Sequence, residues 1–91
     1  MPKRSDGNQQ EIIDALRRCG CAVFDLHGVG HGCPDLLVSR GGINYLLEVK
    51  TLRGRLTDDE ADWHLMWRGQ VDVVRSPEAA LRAVGLYEEV G

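Results

Sequence analysis

The sequence has few aromatic residues, few cysteines and no long apolar run. Aromatic residues make up 5% of the 91 positions, and three residues are cysteines. No segment approaches the roughly 18 apolar residues that a membrane helix needs, and the opening MPKRSDGNQQ offers no apolar stretch for a signal peptide. An odd number of cysteines without a secretory context argues against a disulfide framework. We therefore expect a cytoplasmic protein with reduced thiols, located in the host cytoplasm if it is viral.

An excess of basic charge is also missing. The net charge is −3, which excludes a polycation that binds nucleic acid with its whole surface. The charge is uneven, however: residues 1–56 carry eight Lys and Arg against six Asp and Glu, whereas residues 57–91 carry three against eight. The first part therefore has a net charge of +2 and the second −5. A polyanion such as DNA would bind the first part.

Length and composition predict one globular domain over residues 1–91, with residues 1–7 as a flexible N-terminal arm. Hydrophobic periodicity and turn residues predict seven elements. They are a helix over about 8–18, strands over 21–27, 35–40 and 43–50, a helix over about 58–68, a strand over 70–75 and a helix from 77 to about 84. The order α-β-β-β-α-β-α predicts an α/β fold with a mixed sheet flanked by helices that cover both faces of the central strands.

Local signals support the helix boundaries. Asn8 can cap the first helix, and Thr57 with Glu60 forms the pattern of a capping box before the second. Gly69 is expected to end that second helix. The Ser76–Pro77 pair is typical of an N-cap followed by proline at the first helical position.

The Gly41–Gly42 pair is a favoured two-residue hairpin turn. Counting outward from this turn along both strands places Asp35 opposite Glu48, and Lys50 on the same face as Glu48. Opposed like charges repel each other, so the pair is costly unless a cation or protons neutralise it. The simpler alternative is an ion pair at a strand end, with Asp35 capping a turn.

A pair of carboxylates suits a hard cation such as Mg²⁺, which keeps water and substrate phosphate as its other ligands. Such a site supports hydrolysis of a phosphodiester, because the metal lowers the pKa of a bound water and neutralises phosphate oxygens. Lys50 can position the attacking water or stabilise charge in the transition state. We therefore interpret Asp35, Glu48 and Lys50 as a candidate catalytic set.

The same residues carry a resemblance to a known family. Pro34–Asp35 followed by Glu48-Val49-Lys50 resembles the signature of the PD-(D/E)XK nucleases. The preceding Gly-rich loop, the following helix and the VDVVRS strand extend this resemblance to about residues 8–83. With these segments the sequence resembles the small stand-alone VRR-NUC branch of phages and bacteria.

This resemblance implies a restriction-endonuclease-like core and a DNA endonuclease that depends on Mg²⁺ or Mn²⁺. It implies Asp35, Glu48 and the backbone carbonyl of Val49 as metal ligands, and Lys50 as the catalytic lysine. It also implies a homodimer that acts on branched or junction DNA in replication, repair or recombination, with replication or repair proteins as partners.

The chain departs from the family pattern at three places. Gln9 stands where many relatives carry an acid on the first helix, which puts a second strongly held metal in doubt. Glu60 stands where relatives frequently have Gln, and we assign it to helix capping rather than to DNA contact. The connector 51–56, TLRGRL, is shorter than in close relatives.

Several basic residues are candidate DNA contacts. Two arginines directly follow the catalytic lysine, two histidines flank the Gly-rich loop, and two basic residues lie in the N-terminal arm. They are Arg53, Arg55, His27, His31, Lys3 and Arg4.

Trp63 and Trp67 lie one helical turn apart with Met66 beside Trp67, which predicts a stripe facing the core or a dimer partner rather than a platform for bases. His64 is expected on the opposite, wetter side of this helix.

Two other functions fit parts of the sequence. An inactive DNA-binding or assembly module of the same fold would explain the uncharged Gln9 and the acidic net charge. A zinc-stabilised interaction domain would use Cys19, Cys21, Cys33 and the two loop histidines, although these spacings do not match common zinc sites.

Overall fold

Residues 8–86 are described by the structure, a computed structural model of the chain. The predicted arm with Lys3 and Arg4 lies outside these residues. The predicted order of elements is confirmed: α1(Gln9–Arg18), β1(Ala22–Asp25), β2(Leu36–Arg40), β3(Ile43–Val49), α2(Asp58–Met66), β4(Asp72–Val74) and α3(Pro77–Ala83). Among the described helices, none has the length and apolar character needed to cross a membrane.

The four strands form one mixed sheet in the order β1-β2-β3-β4. The β1–β2 and β2–β3 pairs are antiparallel, and β4 runs parallel to β3. Gly41 and Gly42 have φ values of +59° and +83°, which residues with a side chain rarely adopt. These values suit a tight two-residue hairpin turn. The turn pairs Arg40 with Ile43, so the predicted hairpin register is confirmed.

The core lies between one face of the sheet and the two helices α1 and α3. Alternate residues of the strands point to this face because side chains along a strand alternate. The largest fully buried side chains of this layer are aliphatic: Ile12, Leu16, Leu36, Val38, Leu47, Val49, Val74 and Val84. This layer fixes the position of β2 and β3, the strands that carry the candidate catalytic residues.

Helices flank the sheet as predicted, but α2 covers the opposite face only at the end that carries Glu48 and leaves the rest of this face exposed. Phe24 pairs with Leu37, and Leu37 pairs with Leu46, in one row across three strands. Phe24 is 66% exposed and Leu37 37% exposed, while no residue of α2 is buried. Apolar residues at alternate positions predicted two packed faces, but the described chain supplies helices that pack tightly on only one.

Two of the predicted helix caps are confirmed, and two of the helix-end predictions are wrong. Thr57 and Glu60 form a complete capping box, and Ser76 accepts a hydrogen bond from the Ala79 N–H before Pro77. The α2 helix ends at Met66 rather than at Gly69, because Trp67 turns to extended backbone, with φ −70° and ψ 137°. Asn8 stands at the N-cap of α1, but its side chain makes no capping hydrogen bond.

Candidate metal and phosphate site

Asp35, Glu48 and Lys50 meet at one end of the β2–β3 hairpin. Asp35 directly precedes β2 and Glu48 lies near the end of β3, so the antiparallel register brings both to the same edge. The Val49 N–H donates a hydrogen bond of 2.8 Å to Asp35 Oδ2. Lys50 Nζ lies 3.8 Å from Glu48 Oε2. The structure therefore brings together the three residues that the sequence predicted as a set.

Glu48 is a buried carboxyl group that accepts no hydrogen bond from an N–H group of the described residues and whose hydrogen-bonding neighbour is the Asp35 carboxyl group. Its side chain is 0% exposed, and both carboxylate oxygens are buried. Burial, followed by the negative charge of Asp35, raises the pKa of Glu48 to about 9. A buried acid of this kind costs stability unless a proton or a cation neutralises it, so in the absence of a metal the group keeps a proton, and a bound cation can take the place of that proton.

Asp35 is less deeply buried than Glu48 and has a fixed orientation. Burial raises the pKa of Asp35 above its ordinary value, and the hydrogen bond from the Val49 N–H opposes this shift. The Leu26 N–H donates a hydrogen bond of 2.8 Å to the Asp35 carbonyl, which connects the residue before the Gly-rich loop to the start of β2. Backbone contacts on both sides thus aim the Asp35 side chain toward Glu48.

Glu60 holds Lys50 as well as capping α2. Lys50 Nζ lies 2.8 Å from Glu60 Oε1, and the same oxygen accepts a hydrogen bond of 2.9 Å from the Thr57 N–H. Burial alone would lower the pKa of Lys50, but the contact with Glu60 outweighs it and the pKa is raised. Burial would raise the pKa of Glu60, yet the Lys50 and Thr57 hydrogen bonds lower it. The capping assignment was therefore incomplete, because Glu60 is also part of the site.

His64 faces the site, so its predicted place on the wetter side of α2 is wrong. Its side chain is 17% exposed, and Nε2 lies 3.9 Å from Glu48 Oε1 without a hydrogen-bond partner. The Trp63 ring packs edge-on against the His64 ring, with the two ring centroids 6.2 Å apart. Glu60 and His64 are four residues apart and share one helix face, and this spacing is the sequence signal that could have identified His64.

The two tryptophans do not form a core stripe. Trp63 and Trp67 stack with ring centroids 4.6 Å apart, and Trp67 is 38% exposed. The Trp67 indole N–H also donates to the Gln70 carbonyl. This packing turns the chain after Met66, which explains why α2 ends before Gly69.

The start of α1 lies beside the site. The Asn8 side-chain amide donates to the carbonyl of Lys50 at 3.0 Å and to that of Arg75 at 3.1 Å. Gln9, the first residue of α1, is half-buried, whereas Glu11 is exposed. Sequence reasoning missed the Asn8 contacts because they join segments 42 and 67 residues apart.

The connector after Lys50 is organised by Arg75. Its guanidinium Nη1 donates to three carbonyls, those of Thr51 at 2.7 Å, Leu52 at 3.3 Å and Gly54 at 2.7 Å. The guanidinium thus fixes the loop that presents the predicted DNA contacts. Both Arg53 and Arg55 are exposed on this loop, and so are His27 and His31 on the Gly-rich loop.

No protein-family model and no curated protein sequence matches the chain. A solved structure described as a VRR_NUC domain is similar to it, with a TM-score of 0.66 over 88% of this chain and 92% of that chain. This chain has the VRR_NUC fold. At 24% sequence identity the likeness shows the fold, which confirms the mixed sheet and the element order predicted from the hydrophobic pattern.

In this VRR_NUC fold, the Gly-rich loop packs against the start of α2. A Cβ atom added to Gly32 would collide with the Asp59 carbonyl oxygen, so this contact requires glycine. The loop leads to Asp35 and α2 carries Glu60 and His64. The close approach at Gly32 therefore sets the distance between the two halves of the site.

Replacement of Gly32 by Ala is expected to destabilise the protein more than replacement of Gly30 by Ala. Both residues have positive φ, +81° and +76°, so each alanine costs about 1 kcal/mol in backbone strain. Only Gly32 adds a collision with the Asp59 backbone, since nothing lies within 4 Å of a Cβ at Gly30. Urea unfolding of both variants measures the difference, and equal stabilities would show that the loop and α2 are not in close contact.

The side-chain donors at this site are mainly carboxylate oxygens, which suit a hard cation better than a structural zinc ion. Within residues 8–86, no three His, Cys, Asp or Glu side chains are already arranged to hold a metal. Two carboxylates with water and substrate oxygens are, however, a sufficient protein contribution for Mg²⁺. The Glu48 oxygens, which accept no N–H hydrogen bond, and the neighbouring Asp35 carboxylate suit a bound Mg²⁺ ion. Of the cysteines proposed for zinc, Cys19 is exposed and Cys21 is buried.

Proposed function

We propose that the protein is a DNA endonuclease that hydrolyses phosphodiester bonds with Mg²⁺ or Mn²⁺. The observation that carries this proposal is Glu48, a fully buried carboxyl group that accepts no N–H hydrogen bond and lies beside Asp35 and Lys50. A purely structural ion pair at a strand end would be solvated or fully hydrogen-bonded. The VRR_NUC fold agrees with the proposal.

Each residue of the set has a distinct task in the proposed reaction. Asp35 and Glu48, with the backbone carbonyl of Val49, hold the cation. When bound, that cation supplies a water of lowered pKa and neutralises phosphate oxygens. Lys50, fixed by Glu60, places a positive charge where negative charge builds up on the phosphate. Gln9, at the start of α1 next to Asn8, brings no charge, so we propose one tightly held metal.

Cleavage of end-labelled DNA tests the proposed function. Single-stranded, duplex, flap and four-way-junction substrates are incubated with Mg²⁺, Mn²⁺ or EDTA. We expect metal-dependent products, with faster cleavage of the branched substrates, as a role in replication, repair or recombination requires. Absence of cleavage on every substrate, together with intact DNA binding, would favour an inactive DNA-binding module, for which the uncharged Gln9 is the supporting observation.

The connector after Lys50 is the proposed contact with the phosphate backbone. Replacement of both Arg53 and Arg55 by Ala is expected to weaken DNA binding on all sequences and to reduce the salt dependence, by about one unit of log–log slope for each arginine. Fluorescence anisotropy at several salt concentrations measures this. Arg18→Ala, an exposed charge at the end of α1, serves as the charge-matched control. Equal slopes in the double variant and the control would contradict the contact.

A homodimer is part of the proposal. It is supported by Phe24 and Leu37, which are exposed and adjacent on β1 and β2, because an exposed apolar patch on a small domain is typical of an interaction surface. A second copy would also double the length of duplex contacted. We expect light scattering to give twice the chain mass of 10.1 kDa, and a mass of one chain at micromolar concentrations would contradict the dimer.

A further inference from the structure

His64 has a buried nitrogen that no other group of the described chain satisfies. The side chain is 17% exposed, and Nε2 is among the few buried polar side-chain atoms of residues 8–86 that lack a hydrogen-bond partner. The oxygens of Glu48 likewise accept no N–H hydrogen bond. The imidazole nitrogen and the carboxylate face each other at ion-pair distance without a hydrogen bond, which is an arrangement that a bound cation can bridge.

The separation of these atoms fits a metal ion. His64 Nε2 and Glu48 Oε1 lie 3.9 Å apart, which is too far for a hydrogen bond. Bonds from a divalent transition metal to imidazole nitrogen and carboxylate oxygen are each about 2.0–2.2 Å long, so together they span up to about 4.2 Å. That full span requires the two bonds to be collinear, and at tetrahedral or octahedral angles they hold the ligand atoms about 3.0–3.4 Å apart, so an ion that binds both atoms would draw the two side chains together by about 0.5–0.9 Å.

The orientation of His64 is fixed by its surroundings. The Trp63 ring packs edge-on against the imidazole at an interplanar angle of 71°. One turn earlier on the same helix face, Glu60 is held by the Thr57 N–H and Lys50. The contact of Glu60 with Lys50 thus helps to set the rotation of α2 about its axis, which places His64 Nε2 3.9 Å from Glu48 Oε1.

We propose that His64 is a further metal ligand of this chain, through Nε2, and that it makes the site prefer a transition-metal ion such as Mn²⁺ over Mg²⁺. The inference rests on the proposed metal site at Asp35 and Glu48. Imidazole nitrogen suits transition metals, whereas Mg²⁺ favours a shell of oxygen ligands and bound water. The sequence-predicted set contains only oxygen ligands, so His64 changes the expected metal preference.

Pulsed electron paramagnetic resonance of the Mn²⁺-loaded protein, without DNA, tests the ligand directly. We expect modulation from a directly bound imidazole nitrogen in the wild type and its loss in His64→Gln. The matched control is His31→Gln, an exposed histidine on the Gly-rich loop, which is expected to keep the modulation. Calorimetry is expected to give about tenfold weaker Mn²⁺ binding in His64→Gln, with a much smaller change for Mg²⁺.

The outcomes separate the two proposals. Mn²⁺ binding that requires Glu48 but shows no nitrogen modulation in the wild type overturns the role of His64 and leaves the metal site in place. Modulation that persists in His64→Gln also overturns it. Mn²⁺ binding that is unchanged in Glu48→Gln overturns the metal site and the role of His64 together. The wild-type spectrum decides the question even if the His64 variant does not fold.

Discussion

Replacement of Glu48 by Gln is expected to abolish binding of Mg²⁺ and Mn²⁺ and to remove a pH-dependent loss of stability. The variant keeps the shape of the side chain, which matters because Glu48 is 0% exposed and alanine would leave a cavity. Gln cannot carry the negative charge that holds the cation. Calorimetric titration is expected to show metal binding in the wild type and in Glu11→Gln, an exposed acid on α1, but none in Glu48→Gln.

The stability effect follows from the pKa of Glu48. This pKa is raised from 4.5 to about 9 in the folded, metal-free protein, first by burial and then by the charge of Asp35. Between these values the folded state keeps a proton that the unfolded state has released. The free energy of unfolding therefore falls as the pH rises from about 5 to about 9. Chemical unfolding in EDTA is expected to show this fall in the wild type relative to Glu48→Gln, and parallel pH profiles would contradict it.

The same linkage predicts the pH dependence of metal binding. A cation must displace the proton of Glu48, so its affinity is expected to rise with pH until about 9 and its binding to release a proton. Calorimetry in buffers of different ionisation enthalpy measures the released proton.

Replacement of Lys50 by Ala is expected to reduce the rate of cleavage by about 10²–10³-fold while metal binding is retained. The ammonium is not a metal ligand, and its loss removes a positive charge that lies 3.8 Å from Glu48 and 2.8 Å from Glu60. Metal affinity should therefore stay equal or increase. Single-turnover cleavage and metal titration of the same sample separate the two properties.

Arg53→Ala is the control for Lys50→Ala. It removes the same charge three residues later, from an exposed position in the connector. We expect it to weaken DNA binding without the large loss of rate at saturating enzyme. A rate in Lys50→Ala within about tenfold of the wild type would exclude Lys50 from the chemical step.

The hairpin could be predicted because its register depends on local chemistry. Two adjacent glycines fix a two-residue turn, and strand geometry then pairs Asp35 with Glu48 without any knowledge of the remaining chain. The capping box at Thr57 was predictable for the same reason, since its two hydrogen bonds link residues three positions apart.

The features that could not be predicted depend on how distant segments pack. The sequence places Glu60 and His64 on one face of α2 but does not set the rotation of that helix about its axis. Its rotation depends on the contact of Gly32 with Asp59 and on the ion pair with Lys50. The exposure of one face of the sheet could not be predicted for the same reason, because it depends on where α2 packs. Alternating apolar residues mark a face as suitable for packing, but they do not say whether the same chain covers it.

The central claim is that Asp35 and Glu48 hold a divalent cation beside Lys50. The most direct test is anomalous diffraction from a crystal of the protein soaked in Mn²⁺. We expect an anomalous peak in contact with the carboxylates of Asp35 and Glu48, and its absence in Glu48→Gln crystals soaked in the same way. A wild-type crystal without a peak at these carboxylates, or with Mn²⁺ bound only elsewhere, would contradict the account.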